Sequence, residues 1–188
     1  MRRITLALLA ALALPTGAQA FAPLEMFDRE TRRPLVEEAP LATTAVPREI
    51  VAFSGYAAGT IVVSTRERRL YYVLGDGTAV RYGVGVGRPG FTWSGMQRVT
   101  RKAEWPSWTP PAEMLKRRPD LPRHMAGGVD NPLGPRAMYL GSSLYRIHGS
   151  NEPDTIGQAV SSGCIRMTND DVADLYDRVK VGTQVVVL

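Results

Sequence analysis

The distribution of apolar and polar residues predicts a series of short strands from about residue 50 onward. Residues 60–65 are mostly β-branched, residues 70–74 are apolar, and residues 79–86 alternate apolar with other side chains. Short runs of this kind are typical of strands. Gly75-Asp76-Gly77 separates the last two runs and supplies residues that adopt positive φ in hairpin turns. We therefore predict a three-stranded antiparallel meander.

Later segments add further strands and two helices. Residues 136–140, 144–148 and 183–188 again have strand character. Residues 111–118 predict a short helix, because proline stands at its start and another proline follows it. Residues 168–180 predict a second helix, with apolar side chains on one face, acids in the first turn and bases in the last. The pattern indicates a mostly β domain with minor helices.

The first 47 residues differ from this domain in composition. Residues 1–20 contain two arginines, an apolar run and a small-residue end at Ala18-Gln19-Ala20, which predicts a cleaved secretory signal. The apolar run is about half the length that crosses a bilayer, so we expect no stable membrane span after cleavage. Residues 21–47 carry four prolines and predict an extended arm or linker. Residues 48–188 remain as one globular domain.

Charge and cysteine content narrow the range of functions. The formal charge of +5 falls to +3 without the signal, which carries two arginines and no acid. This small, dispersed excess suits a cell wall rich in carboxylates, and we expect no nucleic-acid partner. We predict a location in the periplasm or cell wall. An unpaired Cys164 persists in such an oxidising compartment either because it is buried and inert or because its chemistry is used.

The surroundings of Cys164 favour the second alternative. Backbone N–H groups in the Ser161-Ser162-Gly163 approach can point to where a carbonyl oxygen becomes negative. A thiol with a pKa of about 8.5 needs a base. Of the two histidines, His148 is the better candidate, since it ends a strand-like run and Gly149 follows it, whereas His124 lies in a predicted loop. From residues alone, an inert cysteine and a structural histidine stay open as alternatives.

One cysteine and two histidines are too few for a zinc site, so we expect no metal and no cofactor.

The same segment resembles the signature of the L,D-transpeptidase catalytic domain, also called the YkuD domain. That family has His-Gly-Thr/Ser, a gap, and then Ser-His/Ser-Gly-Cys-Ile-Arg; this chain has His148-Gly149-Ser150 and residues 161–167, Ser-Ser-Gly-Cys-Ile-Arg-Met. The resemblance extends through residues 131–134 and 108–111 back to about Ile50. It implies a YkuD-like β-sandwich of mixed sheets with two or three short helices, and makes residues 48–188 the catalytic domain.

The resemblance also implies a reaction. Members of the family cleave a peptidoglycan tetrapeptide stem between the L-centre of diaminopimelate and the terminal D-alanine. By this likeness Cys164 attacks the carbonyl and forms a thioester. His148 takes the thiol proton, and the main-chain carbonyl of Gly149 orients its ring.

Other residues of the segment have less specific expectations. We expect the N–H groups of Gly163 and Cys164 to form the oxyanion hole. Arg166 approaches a stem carboxylate or forms a structural ion pair. Ser161 and Ser162 contact the substrate or shape the loop. Ser162 stands where many members have histidine, which puts substrate contacts at that position in doubt.

The partner that accepts the acyl group is not readable from the sequence. An amine of a second stem gives a 3-3 cross-link, and a lysine of an outer-membrane lipoprotein gives an anchor. Water gives a carboxypeptidase or endopeptidase. Transfer to an amine is our preferred expectation by analogy with the family. A catalytically idle wall-binding module is the alternative from a different class.

Overall fold

The computed structural model describes residues 46–188, so the predicted signal and almost all of the predicted arm lie outside the described residues. Within this range the elements are β1 Glu49–Ala52, β2 Ile61–Ser64, β3 Arg69–Val73, β4 Thr78–Gly83, β5 Val86–Gly87, β6 Gly95–Glu104, α1 Ala112–Arg117, β7 Arg136–Leu140, β8 Arg146–His148, β9 Ala159–Ser161, β10 Ile165–Arg166, α2 Asn169–Arg178 and β11 Gln184–Val187. A 3₁₀ turn at Pro153–Thr155 lies between β8 and β9. The mostly β class with few, short helices is confirmed.

Nine of these strands form one mixed sheet in the order β1-β4-β3-β2-β11-β6-β7-β8-β10, and β5 pairs with β9 in a second sheet. The β2–β11, β8–β10 and β5–β9 pairs are parallel, and the others are antiparallel. Strand β6 joins two parts of the large sheet. Its first residues pair with β11 and its later residues pair with β7, with a register shift between Val99 and Arg101. Such an irregularity bends a strand, so β6 carries the sheet from one part to the other.

Most of the predicted elements are present. The meander is β2-β3-β4, and the predicted helices are α1 and α2, with Pro111 and Thr168 at their N-caps. Strand β6 was not predicted, because its sequence is polar and Val99 is its only fully buried residue.

The predicted strand at residues 79–86 is wrong in its last part, since β4 ends at Gly83. After Gly83 the chain no longer pairs with β3. Gly85 instead exchanges two backbone hydrogen bonds of 2.9 Å with Arg166. A Cβ at Gly85 would lie 2.9 Å from the carbonyl oxygen of Thr155, so this crossing requires glycine. The break brings the chain after β4 against β10.

The hydrophobic core lies where α2 covers the sheet. Helix α2 buries Val172 and Leu175 against β7 and its neighbours, and Val179, directly after the helix, packs in the same core. Its first turn is capped, since Thr168 Oγ1 accepts the Asp171 N–H at 3.2 Å. Burial of each large apolar side chain contributes about 1.5–3 kcal/mol. The same core holds Ile147 of β8 and Ile165 of β10, which fixes these two strands in register.

Candidate active site

Strands β8 and β10 bring the predicted residues onto one face of the sheet. Ile147 pairs with Ile165, and His148 pairs with Arg166. Both isoleucines point into the core, and alternate residues of a strand point to opposite faces, so His148 and Arg166 face away from the core. Cys164 directly precedes β10 and shares that face. A spacing of about 4.8 Å between strands and a rise of about 3.3 Å per residue put the Cα atoms of Cys164 and His148 about 8 Å apart.

His148 is a buried neutral base with a defined tautomer. Its side chain is among the buried polar groups, 4% exposed, and Nδ1 lies 2.6 Å from the main-chain oxygen of Gly149. A carbonyl only accepts hydrogen bonds, so Nδ1 carries the proton and Nε2 has a free lone pair. Burial lowers the pKa of His148 to about 3, helped by the charges of Arg166 and Arg146 and opposed by the Gly149 bond. The ring is therefore neutral at neutral pH.

Cys164 is a free, partly exposed cysteine that keeps its proton at neutral pH. Burial of the sulfur raises the pKa of the thiol, while the charges of Arg146 and Arg166 and the Arg146 N–H oppose this rise. Its Sγ lies 3.8 Å from the main-chain oxygen of Leu144. The pair at rest is thus a thiol and a neutral imidazole, and any nucleophilic attack by this thiol would require transfer of its proton to a base.

The turn before the thiol is built by Ser161. Its Oγ donates to the Cys164 carbonyl at 2.6 Å and accepts the Gly163 N–H at 3.1 Å. Ser161 is 2% exposed, a geometry that favours loop shaping over substrate contact. Because the Gly163 N–H already has this partner, the two expected oxyanion donors are not equivalent. The Cys164 N–H has no acceptor within residues 46–188.

An aromatic pair packs against the same turn from outside the motif. Trp93 Nε1 donates to the Gly163 carbonyl at 2.8 Å, and its ring stacks on Tyr145 with centroids 4.6 Å apart and planes within 3°. In a trans peptide the C=O and N–H point in opposite directions. The bond from Trp93 therefore fixes the direction of the Cys164 N–H. Nothing in the local sequence pattern connects Trp93 or Tyr145 with this turn.

Two arginine side chains lie close to the segment that contains the thiol. Arg166 Nη1 forms an ion pair of 2.9 Å with Glu152, the structural alternative considered for it. Arg88 Nη1 reaches Ser162 Oγ at 3.4 Å and stacks over Phe91 at 4.2 Å. Ser162 therefore contacts a cation that sequence reasoning did not connect with it.

The remaining candidates lie elsewhere or do not form a site. His124 is exposed, and its Nδ1 is 3.3 Å from Thr109 Oγ1. Trp108 is buried, whereas Trp105 is 49% exposed. In the part of the chain that the structure covers, no three His, Cys, Asp or Glu side chains gather as a metal ion would need. No helix among these residues is long and apolar enough to cross a membrane.

Comparison with solved structures first defines the fold. L,D-transpeptidase 3 from Mycobacterium tuberculosis, solved with a faropenem-derived adduct, matches with a TM-score of 0.56 at 19% identity, covering 68% of this chain and 59% of that one. At this identity the likeness shows the fold alone. A second structure, titled a probable carnitine operon oxidoreductase from Brucella melitensis, is 47% identical with a TM-score of 0.52, covering 76% of this chain and 93% of that one.

Sequence comparison then defines the family. The model of the YkuD family, the L,D-transpeptidase catalytic domain, matches residues 58–187. The probable L,D-transpeptidase ErfK/SrfK of Escherichia coli is 40% identical over 152 residues, which are 76% of this chain and 48% of that protein. The chain belongs to the L,D-transpeptidase catalytic domain family. It spans about half the length of curated relatives such as this one.

Proposed function

We propose that the protein is an exported, cysteine-dependent L,D-transpeptidase that acts on peptidoglycan tetrapeptide stems. The observation that carries this proposal is the arrangement of the imidazole. The Gly149 carbonyl accepts a hydrogen bond from Nδ1 of His148, which leaves Nε2 unprotonated and able to act as a base. His148 lies on the same face of the sheet as Cys164. The matched family supplies the type of reaction.

In the proposed reaction, Cys164 Sγ attacks the carbonyl carbon at the L-centre of diaminopimelate while His148 Nε2 takes the thiol proton. The Cys164 N–H stabilises the oxyanion. The imidazolium then gives its proton to the departing nitrogen of D-alanine as the C–N bond breaks, which leaves a thioester. An acceptor amine then attacks the thioester and loses a proton to Nε2, and the imidazolium returns that proton to Sγ as the C–S bond breaks.

The charges around the thiol support a substrate that carries carboxylates. Arg146 and Arg166 both lower the pKa of Cys164 by their charge, so their field reaches the reacting sulfur. Arg88 lies against Ser162, two residues before the thiol. Stem peptides carry free carboxylates, which such a surface attracts.

Export and the acceptor complete the proposal. The signal pattern of residues 1–20 supports secretion into the periplasm. Transfer to a stem amine gives a 3-3 cross-link, and transfer to a lipoprotein lysine gives an anchor. The expectation of hydrolysis fits less well, because the curated relatives are named as transpeptidases.

The name of the similar Brucella protein, a probable oxidoreductase, does not change this proposal. Gly85, Gly87 and Gly90 do match the letters of a Gly-x-Gly-x-x-Gly dinucleotide motif. That motif binds pyrophosphate at the start of a helix within a β-α-β unit. Here the glycines lie around β5, and the next element is the strand β6. The geometry therefore gives no helix N-terminus for a dinucleotide.

Covalent labelling tests the nucleophile and the base. Purified protein is incubated with a carbapenem and weighed intact by mass spectrometry. We expect an adduct on the wild type and none on Cys164→Ala. His148→Ala should label about 100-fold more slowly or worse, because it removes the general base. His124→Ala is the matched control and should label normally, since that histidine is exposed on another loop.

Two results would contradict the assignment. Absence of labelling in the wild type would exclude Cys164 as the nucleophile, and normal labelling of His148→Ala would exclude His148 as the base. The acceptor is then identified by incubation with a disaccharide-tetrapeptide and chromatography. A dimer is expected for a cross-linking enzyme, whereas tripeptide alone would show that water accepts the acyl group.

A further inference from the structure

We propose that Asn169 is a positioning residue that fixes the tautomer of His148, an inference that rests on the proposed function. The carbonyl that accepts from His148 Nδ1 belongs to the peptide between Gly149 and Ser150. The N–H of this same peptide donates to Asn169 Oδ1 at 3.0 Å. One peptide group therefore connects the first residue of α2 to the imidazole.

Two glycines leave the space that Asn169 occupies. A Cβ at Gly149 would lie 2.5 Å from Asn169 Oδ1, and a Cβ at Gly134 would lie at the same distance from that atom. The Gly134 Cβ would also approach the Ser150 nitrogen to 2.8 Å. The backbone on both sides is thus shaped around the amide oxygen. Asn169 is the first residue of α2, so the backbone of the packed helix sets its position.

The hydrogen bond from the Ser150 N–H to Asn169 strengthens the hydrogen bond between His148 and the Gly149 oxygen. Hydrogen bonds in a chain polarise each other, by about 10–30% for each bond. Asn169 Oδ1 accepts a hydrogen bond from the Ser150 N–H and so polarises the peptide group. The Gly149 oxygen of this peptide becomes a better acceptor for His148 Nδ1–H, and the peptide plane is held in place. With the proton kept on Nδ1, Nε2 stays free to accept the thiol proton. In the other tautomer Nε2 carries the proton and cannot act as a base.

Three variants separate this role from simple support of the helix. Asn169→Ala removes the acceptor, Asn169→Asp keeps an acceptor oxygen at the same place, and Thr168→Ala weakens the cap of α2 without touching the peptide. Asn169 is largely exposed, so its truncation leaves no core cavity. The tautomer of His148 is read from the ¹⁵N chemical shifts of its ring, and the carbapenem labelling rate is measured against pH.

We expect Asn169→Ala to populate the Nε2–H tautomer and to slow labelling by about tenfold, because the loss of one hydrogen bond weakens the hold on the Nδ1–H tautomer. Asn169→Asp should keep the Nδ1–H tautomer and restore most of the rate. Thr168→Ala should change neither. An unchanged tautomer in Asn169→Ala, or equal slowing in Thr168→Ala, would overturn the inference. If the wild type does not label at all, the proposed function fails, while the ring shifts still test Asn169.

Discussion

Replacing Gly163 with alanine tests whether the turn before the thiol is held by packing. Gly163 has φ of +105°, where a side chain is strained by about 1–3 kcal/mol. Its new Cβ would also lie 3.0 Å from Tyr145 Cδ1, closer still to Tyr145 Cε1, and 3.2 Å from the Phe91 oxygen. Overpacking of this kind costs about 1–3 kcal/mol. We expect Gly163→Ala to lose about 2–6 kcal/mol of unfolding free energy, as the sum of both effects.

A second glycine in the same region separates the two contributions. Gly157 has φ of +86°, and nothing lies within 4 Å of a Cβ built on it. Gly157→Ala should therefore show the backbone strain without the collision. Urea unfolding of both variants should give a loss about 1–3 kcal/mol larger for Gly163→Ala.

The collision partner can also be removed. Tyr145→Ala takes away the ring, so in a double-mutant cycle it should recover much of the excess loss in Gly163→Ala. Equal losses for Gly163→Ala and Gly157→Ala, together with no coupling to Tyr145, would refute the view that the Trp93–Tyr145 pair holds this turn.

Two further predictions concern the aromatic pair and the imidazole. Trp93→Phe keeps a ring on Tyr145 but loses the 2.8 Å bond to the Gly163 oxygen, so carbapenem labelling should slow about tenfold, equivalent to about 1.4 kcal/mol. The exposed Trp105→Phe is its control, and equal rates for both variants would contradict the role of Trp93. The pKa of His148 is 6.5 in the unfolded chain and about 3 in the folded protein. Between these values only the unfolded chain binds the proton, so the free energy of unfolding decreases as the pH is lowered from 6.5 to 3. Urea unfolding should show about 1.4 kcal/mol per pH unit more dependence in the wild type than in His148→Gln, and identical slopes would contradict the buried neutral ring.

The sequence alone could identify the candidate site residues because they lie in one short segment. His148, Gly149 and Cys164 fall within residues 148–164, where residue type and spacing are both informative. The strands and helices with clear apolar periodicity were predicted for the same reason, since burial of one face leaves a local pattern. The polar strand β6 leaves no such pattern, because only one of its residues is fully buried.

The residues that hold the site could not be found in this way. Trp93 meets the Gly163 oxygen across 70 positions of the chain, and Asn169 meets the Ser150 N–H across 19. A single tryptophan or asparagine has no period, so nothing local marks its partner. Only the register of β8 with β10 and the start of α2 brings these groups together. Tertiary contacts therefore determine which residues hold the backbone beside Cys164 and His148.

Gly163 beside Cys164 and Gly149 beside His148 show how these contacts position the candidate site. From sequence, Gly163 was considered only for the N–H group that it could direct toward a carbonyl oxygen. The structure instead packs Tyr145 where a Cβ at Gly163 would stand, and Asn169 where a Cβ at Gly149 would stand. Gly149 does not have positive φ, so its requirement is space, whereas Gly163 needs both space and positive φ. Each glycine thus lets a side chain come close enough to fix a peptide, and the thiol and the imidazole are positioned by packing at residues that have no side chain.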